Sequence, residues 1–593
     1  MTDYPWANLP AMFFEIADRL GDKPFLWAKR GGPYQSVSWT EAANNVTALA
    51  SRLQTLGVGV GDRIVLVSEN RPEWVIADMA IMTVGAITVP AYVTNTTADH
   101  LHVLTDSGAC GIIVSTRRLS GKLIPAARQA AAPRFLISIE PTPTRPDDTF
   151  DTLCWQHCLR PVAADDPDKL DAQTRQLANR WSDRETACII YTSGTGGLPK
   201  GVMLTHRNLF HNIMGARDAL TGIDLGDEVF LSFLPMSHSY EHTAGQLFPI
   251  SIGAQIYFAE GIEALGSNMQ EARPTIMTAV PRLYETMYQR ISQGVRKSGG
   301  LKESMFNATL RTGRKKYTVQ GQLGGLEKLL DRLLDRLVRD KVRARFGGRL
   351  KALVSGGAPL NPEIGIYFTA LGMRLLQGYG QTETSPVISV NRPDNAKMHT
   401  VGPPLLNTDV RIADDGEILA GGDLVMKGYW NDDEATARVI QDGWVHTGDI
   451  GRIDEDGHLI ITDRKKDIIV NSGGDNIAPQ RVEGILALQP EIFQALVYGD
   501  KRPHLVAVLV ADRNWLQEQD GDLHKALQPA VDRANEQLSP LEKVRRYIVA
   551  DTPFSIENGQ FTPTMKVRRH VVIEHYGERL TGLYPKPAGR QAP

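Results

Sequence analysis

Short apolar runs, several ending in glycine or polar residues and most set apart by helical segments, limit this chain's fold more than any other feature. They are "RIVLVSEN" (63–70), "CGIIVS" (110–115), "ACIIYTSG" (187–194), "EVFLSFLP" (228–235), "AQIYFAE" (254–260), "TIMTAVP" (275–281), "LKALVSGG" (350–357) and "MRLLQGYG" (373–380). Such near-continuous apolar runs are typical of strands buried on both faces of a parallel sheet. Between them, "SWTE" at Ser38–Glu41 has the capping-box pattern, and Val46, Leu49, Leu53 and Leu56 recur at helical spacing. Strands alternating with helices predict α/β architecture, in large layers of mainly parallel sheet. Ligands of such sheets gather beyond the carboxyl ends of the strands.

A chain of 593 residues is too long for one core, so two or more domains are expected. Near residue 464 the character shifts. "DGWVHTGDIGRIDEDGHLIITDRKK" mixes short strands with Asp-Gly turns, and "EDGH" reads as a hairpin. The basic cluster Arg464, Lys465, Lys466 then precedes a smaller region. The expected division is a large N-terminal domain, 1–465, and a small, mobile α+β C-terminal domain, 466–593. Residues 302–349 are rich in leucine and charge. They read as an amphipathic helix with a solvated face, and secondarily as a membrane-surface or partner-binding segment.

The net charge of -3 supplies no basic field for nucleic acid. Four cysteines are too few for a disulfide framework and fit a reducing compartment. Cys154, His157 and Cys158 lack the second ligand pair of a zinc site. No signal-peptide pattern or membrane-length apolar run is present, so the expected location is cytoplasmic, with peripheral membrane contact open.

"YTSGTGGLPKG" (191–201) follows an apolar run. A glycine-rich loop after a strand turns backbone N–H groups toward an anion, and Lys200 adds charge. The P-loop NTPase pattern fails, because Pro199 precedes the lysine and Gly201 follows it. The dinucleotide pattern GxGxxG fails at Pro199. "SGGAPL" (355–360) and "QGYGQTETSP" (377–386) also end strand-like runs. In the second, Tyr379 offers a flat face for a base, Thr382 a hydroxyl, and Glu383 a hard oxygen ligand suited to Mg²⁺. Asp449, in "HTGD" (446–449), can accept hydrogen bonds from ribose hydroxyls. Lys566, in "NGQFTPTMKVRR" (558–569), reads by itself as an ordinary surface lysine.

Together, "YTSGTGGLPKG", "GYGQTET", "HTGDIGRIDEDGHLIITDRKKDIIVNSGG" and "NGQFTPTMK" resemble the adenylate-forming superfamily, in its usual motif order. "LPMSHSYEHT" (234–243) and the long basic insert before "LVSGGAPL" are most similar to long-chain fatty acid–CoA ligases. The resemblance implies two half-reactions. ATP and a fatty acid give acyl-adenylate and pyrophosphate, and coenzyme A then takes the acyl group and releases AMP. It implies that the loop Thr192, Ser193, Gly194, Thr195, Gly196 and Lys200 cradles the β- and γ-phosphates, and that Thr195 and Glu383 hold Mg²⁺. Gly357, Gln377, Gly378 and Tyr379 would frame adenine, with Thr382 at the α-phosphate and Asp449 and Arg464 at the ribose. His238 would lie beside the acyl pocket. Lys566 would bridge the carboxylate and the α-phosphate. Lys466 would be the pivot of a rotation that replaces Lys566 with Gly473 and Gly474 at the pantetheine tunnel. Such ligases are often homodimers.

Gly196 departs from the family, which usually has threonine there. One missing charge-assisted hydrogen bond is worth roughly 1.5–3 kcal/mol, so weaker ATP binding or slower adenylation is expected if the loop's remaining backbone N–H groups do not replace it. Two other readings are an acyl-AMP ligase that loads a carrier protein and a weakened nucleotide-binding pseudoenzyme. The absence of an evident insertion between Arg464 and Lys566 speaks against the first. The presence of Thr195, Lys200, Glu383, Asp449, Arg464 and Lys566 speaks against the second.

Overall fold

The computed structural model describes residues 4–143, 145–160, 167–192, 198–318, 323–519, 521–562 and 566–585. Each apolar run quoted above contains a strand. One eight-stranded sheet has the spatial order Ser389–Val390, Leu375–Tyr379, Ala352–Ser355, Ile276–Ala279, Val229–Ser232, Gln255–Phe258, Pro24–Lys29, Tyr34–Ser38. Its interior pairs are parallel and its two edge pairs antiparallel. A second has the order Gly428–Tyr429, Lys200–Thr205, Thr186–Thr192, Ile87–Pro90, Arg63–Val67, Gly111–Val114, Phe135–Ser138, Asp151–Cys154. It is parallel from Thr186–Thr192 onward. Val65, Ile112 and Leu353 in these strands are buried, as their uninterrupted apolar pattern requires.

Helices cover the sheets. Trp39–Thr55 starts where Ser38 Oγ accepts the Glu41 N–H at 3.1 Å. Pro72–Thr83 is buried along its whole length, which explains its lack of a polar face.

The chain then builds a five-stranded antiparallel sheet from Asp409–Ile412, Glu417–Gly421, Ile440–Gln441, Trp444–Ile453 and Leu459–Arg464. The "EDGH" hairpin joins the last two strands, with Ile453 opposite Leu459 and Gly457 at φ 80° in the turn. The C-terminal unit packs Ile492–Tyr498, Leu505–Ala511 and Val544–Val549 beneath the helices Pro479–Ala487, Leu523–Glu536 and Arg569–Thr581. Its buried apolar clusters draw only on residues from Ile469 onward.

The leucine-rich insert is helical, as expected: Gly300–Thr318, and Gly325–Leu334 continuing through Asp335–Arg339 and Asp340–Arg345, preceded by the helix Pro281–Ser298. Its solvated face differs from the expectation. Leu326, Leu329, Leu330, Leu333 and Leu337 point outward, while Glu327, Asp331 and Asp335 pair with basic side chains of the protein. Among the described residues, no helix is long and apolar enough to cross a membrane.

Candidate active site

A cleft of about 2250 Å³ opens between the large sheets, the antiparallel sheet and the C-terminal unit. Thr192, His238, Gly357, Gln377, Gly378, Tyr379, Thr382, Glu383, Asp449, Arg464, Lys466 and Lys566 all line it. They come from segments spread over most of the chain. The carboxyl ends of parallel strands supply several of them, as open α/β sheets lead one to expect.

Backbone geometry dictates two glycines. Gly357 follows the strand Ala352–Ser355 with φ +82°, a left-handed conformation that glycine adopts without strain. Gly380 closes "GYG". A β-carbon there would lie 1.8 Å from the Pro386 carbonyl oxygen, so only a hydrogen fits. That close approach turns the chain from Leu375–Tyr379 into the short helical turn Thr382–Thr384, which presents Thr382 and Glu383 to the cleft.

Asp449 and Arg464 are partners on adjacent antiparallel strands, with Arg464 Nε 3.4 Å from Asp449 Oδ1. The Tyr379 hydroxyl donates to Asp449 Oδ2 at 2.7 Å. Burial pushes the Asp449 carboxyl above its ordinary range, and Arg464 and Tyr379 oppose that. Both oxygens are thus oriented from one side by the protein.

The Tyr429 hydroxyl donates to Glu383 Oε1 at 2.8 Å. Among the described residues Glu383 Oε2 accepts no hydrogen bond, and it is a hard anionic oxygen facing the cleft. Thr382 Oγ1 lies 3.0 Å from Ser239 Oγ. Lys200 stands behind this pair, its ammonium 3.1 Å from Asp432 Oδ2 and 5.2 Å from the Tyr429 ring centre. Ser193, Gly194, Thr195 and Gly196 lie outside the described residues. The flanking Thr192 and Lys200 are paired across antiparallel strands, so both ends of that loop are held together.

His238 Nδ1 accepts the Tyr240 N–H at 3.1 Å. The neutral ring therefore carries its proton on Nε2. Burial, reinforced by the charge of Lys566, holds His238 down at about 3, so the ring is uncharged at neutral pH.

Lys566 reaches the cleft from the C-terminal unit. The Lys566 N–H donates to Thr562 Oγ1 at 3.0 Å, and the Thr562 N–H donates to the Lys566 carbonyl at 2.8 Å. Lost hydration and the repulsion of Arg464 pull its ammonium from 10.5 to about 8, while Asp449 and Glu383 hold it up. The carboxylates seen from sequence therefore act on the charge of a lysine that local sequence left featureless.

Other parts of the cleft wall are apolar: Ala216, Ala219, Leu220, Phe230, Phe248 and Ile276. Gly473 and Gly474 are absent from the wall. They occupy the turn between Ile469–Val470 and Asn476–Ile477 in the C-terminal unit. Tyr429, Asp432 and Ser239 were not identified from the sequence. "KGYWNDDE" (427–434) has no pattern tying a tyrosine to a carboxylate 46 residues earlier.

The family description "AMP-binding enzyme" matches residues 13–430, and "AMP-binding enzyme C-terminal domain" matches residues 466–588. A long-chain-fatty-acid–CoA ligase of Mycobacterium tuberculosis is 34% identical over 98% of this chain and 97% of its own length. A peroxisomal long chain acyl-CoA synthetase of Arabidopsis thaliana is 32% identical over 93% of this chain and 82% of its own. In fold, the adenylation domain of a carboxylate reductase from Mycobacterium chelonae superposes with a TM-score of 0.78, at 20% identity over 98% of this chain and 92% of that one. Nearly the whole length of this protein is thus accounted for, and the chain belongs to the AMP-binding enzyme family.

Proposed function

We propose that this protein is a long-chain fatty acid–CoA ligase that forms AMP. It is similar to ligases of that name over nearly its full length. The observation that carries the chemistry is the convergence of Lys566, Glu383, Asp449 and Arg464 on one cleft that also has an apolar wall. In the first half-reaction a carboxylate oxygen attacks the α-phosphorus of ATP. The bond from that phosphorus to the bridging oxygen breaks and pyrophosphate leaves. In the second, the thiol sulfur of coenzyme A attacks the acyl carbon, its proton is lost, and AMP departs with the mixed-anhydride oxygen.

The first step brings anions together, so the site must supply fixed positive charge. Lys566 and Arg464 supply it, and Lys566 is placed to bind the entering carboxylate and the α-phosphate. Asp449, oriented by Tyr379 and Arg464, receives the ribose hydroxyls. Gly357, Gln377, Gly378 and Tyr379 frame the base. Thr382 meets the α-phosphate, and Thr192 to Lys200 hold the β- and γ-phosphates. His238 stands beside the acyl chain.

No cluster of three metal-binding side chains occurs among the described residues. A bare Glu383 oxygen nonetheless suits Mg²⁺, which keeps substrate phosphates and waters as its other ligands. Thr195 and Glu383 would hold it, and it would neutralise phosphate charge.

The division is placed at 465/466, with Lys466 as pivot. The apolar clusters of the C-terminal unit, whose buried residues all come from Ile469 onward, support it. Rotation about that pivot withdraws Lys566 and brings Gly473 and Gly474 to the cleft for the thiol step.

The test is exchange of labelled pyrophosphate into ATP, stimulated by a long-chain fatty acid, followed by AMP release across a panel of acids with and without coenzyme A. The reading expects acid-dependent exchange and coenzyme A-dependent turnover that peaks with long chains. Exchange indifferent to fatty acid, or turnover that needs a carrier protein instead of coenzyme A, would overturn it.

A further inference from the structure

The outer side of the helical insert carries an apolar stripe. Leu326, Leu329, Leu330, Leu333 and Leu337 are 86, 66, 44, 54 and 37% exposed. Steps of three and four residues align them on one face of Gly325–Leu334 and its continuation through Asp335–Arg339. Exposed leucines are ordinary when scattered, but a contiguous stripe marks an interaction surface. The other side of the helix is docked: Leu334 is buried, and Arg339 Nε donates to the Ala370 carbonyl at 2.8 Å.

Charge on this segment is sorted. Residues 325–345 carry seven basic and four acidic side chains, in a chain whose net charge is -3. Every one of those acids is already engaged within the protein. Glu327 pairs with Lys315 at 2.6 Å, Asp331 with Arg339 at 2.8 Å, Asp335 with Arg343 at 2.7 Å, and Asp340 with Arg343 at 3.0 Å. Lys328, Arg332 and Arg336 are exposed, follow one another at steps of four about 100° round the helix from Leu329, Leu333 and Leu337, and form no ion pair among the described residues. The surface thus offers leucines and uncompensated cations together.

We propose that this face docks the protein on a bilayer containing anionic lipid. The leucines enter the boundary between headgroups and acyl chains, and Lys328, Arg332 and Arg336 meet the lipid phosphates. A second copy of the chain fits less well. It would bring the same cationic row to the interface with no free acid to answer it. The helix Pro281–Ser298, which precedes the insert, begins at the cleft, where Pro281, Arg282 and Glu285 line the wall. That a bilayer also holds the substrate is a further point, and this clause alone rests on the function proposed above.

The test is flotation of the full-length protein, without acid, ATP or coenzyme A, on vesicles of phosphatidylcholine alone or with roughly one third phosphatidylglycerol. The wild type should float with the anionic vesicles and detach as salt is raised. Leu326→Ser, Leu329→Ser and Leu333→Ser combined should lower the partition about tenfold or more. Arg332→Glu with Arg336→Glu should abolish the preference for anionic lipid. Both variants should keep wild-type thermal stability and wild-type exchange with a soluble short-chain acid. Equal binding to neutral and anionic vesicles, or a leucine variant that floats like the wild type, would overturn the proposal. So would a lipid-free dimer that the leucine substitutions dissociate. Because binding is read without substrate, its failure leaves the exchange assay, and the ligase reading, untouched.

Discussion

Lys566 concentrates the electrostatics of the site. Its ammonium is held near 8 because lost hydration and Arg464 disfavour the charge more than Asp449 and Glu383 favour it. The adenylation role needs the protonated form. That form dominates below the folded-state value and is lost as pH rises through it. Hence kcat/KM for pyrophosphate exchange should fall above about pH 8, and Lys566→Arg should move that limb to higher pH. A flat profile to pH 9.5 in the wild type would show that the charge is not needed. Lys566→Ala should lower acyl-adenylate formation by about a thousandfold or more while sparing thioester formation from supplied acyl-adenylate. Equal loss of both would remove the assigned role. Tyr429→Phe keeps the ring beside Lys200 but deletes the hydroxyl donated to Glu383. The KM for magnesium–ATP should rise about tenfold, the worth of one hydrogen bond to a charged group, and an unchanged KM would make Tyr429 a bystander. At this scale the sequence was half legible. Glu383 and Asp449 stand in motifs whose residue types match their chemistry. Lys566 acquires its environment only from the folding of a unit more than 100 residues away in sequence, and Tyr429 from an edge strand with no periodicity of its own.

Among the elements, the parallel strands were the most legible, because burial on both faces writes them as unbroken apolar runs. The π-wound segment Glu241–Leu247 was not. Its buried Glu241 accepts from Thr278 Oγ1 at 2.7 Å, a tertiary pairing that no local pattern announces. The insert's outward leucines were hidden for a similar reason: amphipathicity gives the angle between two faces but not which face meets the protein. The turn at Gly380 is the tightest constraint on the base-binding strand. Gly380→Ala must displace the Pro386 carbonyl, since a β-carbon has no room. We expect a loss of about 1–3 kcal/mol in unfolding free energy and a larger loss in AMP affinity, measured by denaturant melts and by titration calorimetry. A variant as stable and as tight as the wild type would show that the loop yields freely.

At the scale of the whole molecule, few polar contacts among the described residues hold the C-terminal unit in place. Asn361 Nδ2 donates to the Gly484 carbonyl at 3.1 Å, Asn514 Nδ2 to Gln293 Oε1 at 3.1 Å, and Arg282 lies 4.1 Å from the Phe493 ring centre. Polar interfaces of this kind permit relative motion. Lys566 lies in the cleft and Gly473 and Gly474 outside it; under the roles proposed above, this arrangement would suit the first half-reaction and not the second. The direct test is to lock it. Asn361→Cys with Gly484→Cys, in a Cys154→Ser background because Cys154 is exposed, places two thiols across the interface where a β-carbon on Gly484 would sit 3.4 Å from the Asn361 amide nitrogen. Both half-reactions are then measured on the oxidised and the reduced protein. The account predicts that oxidation preserves fatty acid-dependent pyrophosphate exchange within about twofold, abolishes acyl-CoA formation, and is reversed by reductant. Acyl-CoA formed at the same rate by the oxidised and reduced proteins would contradict it.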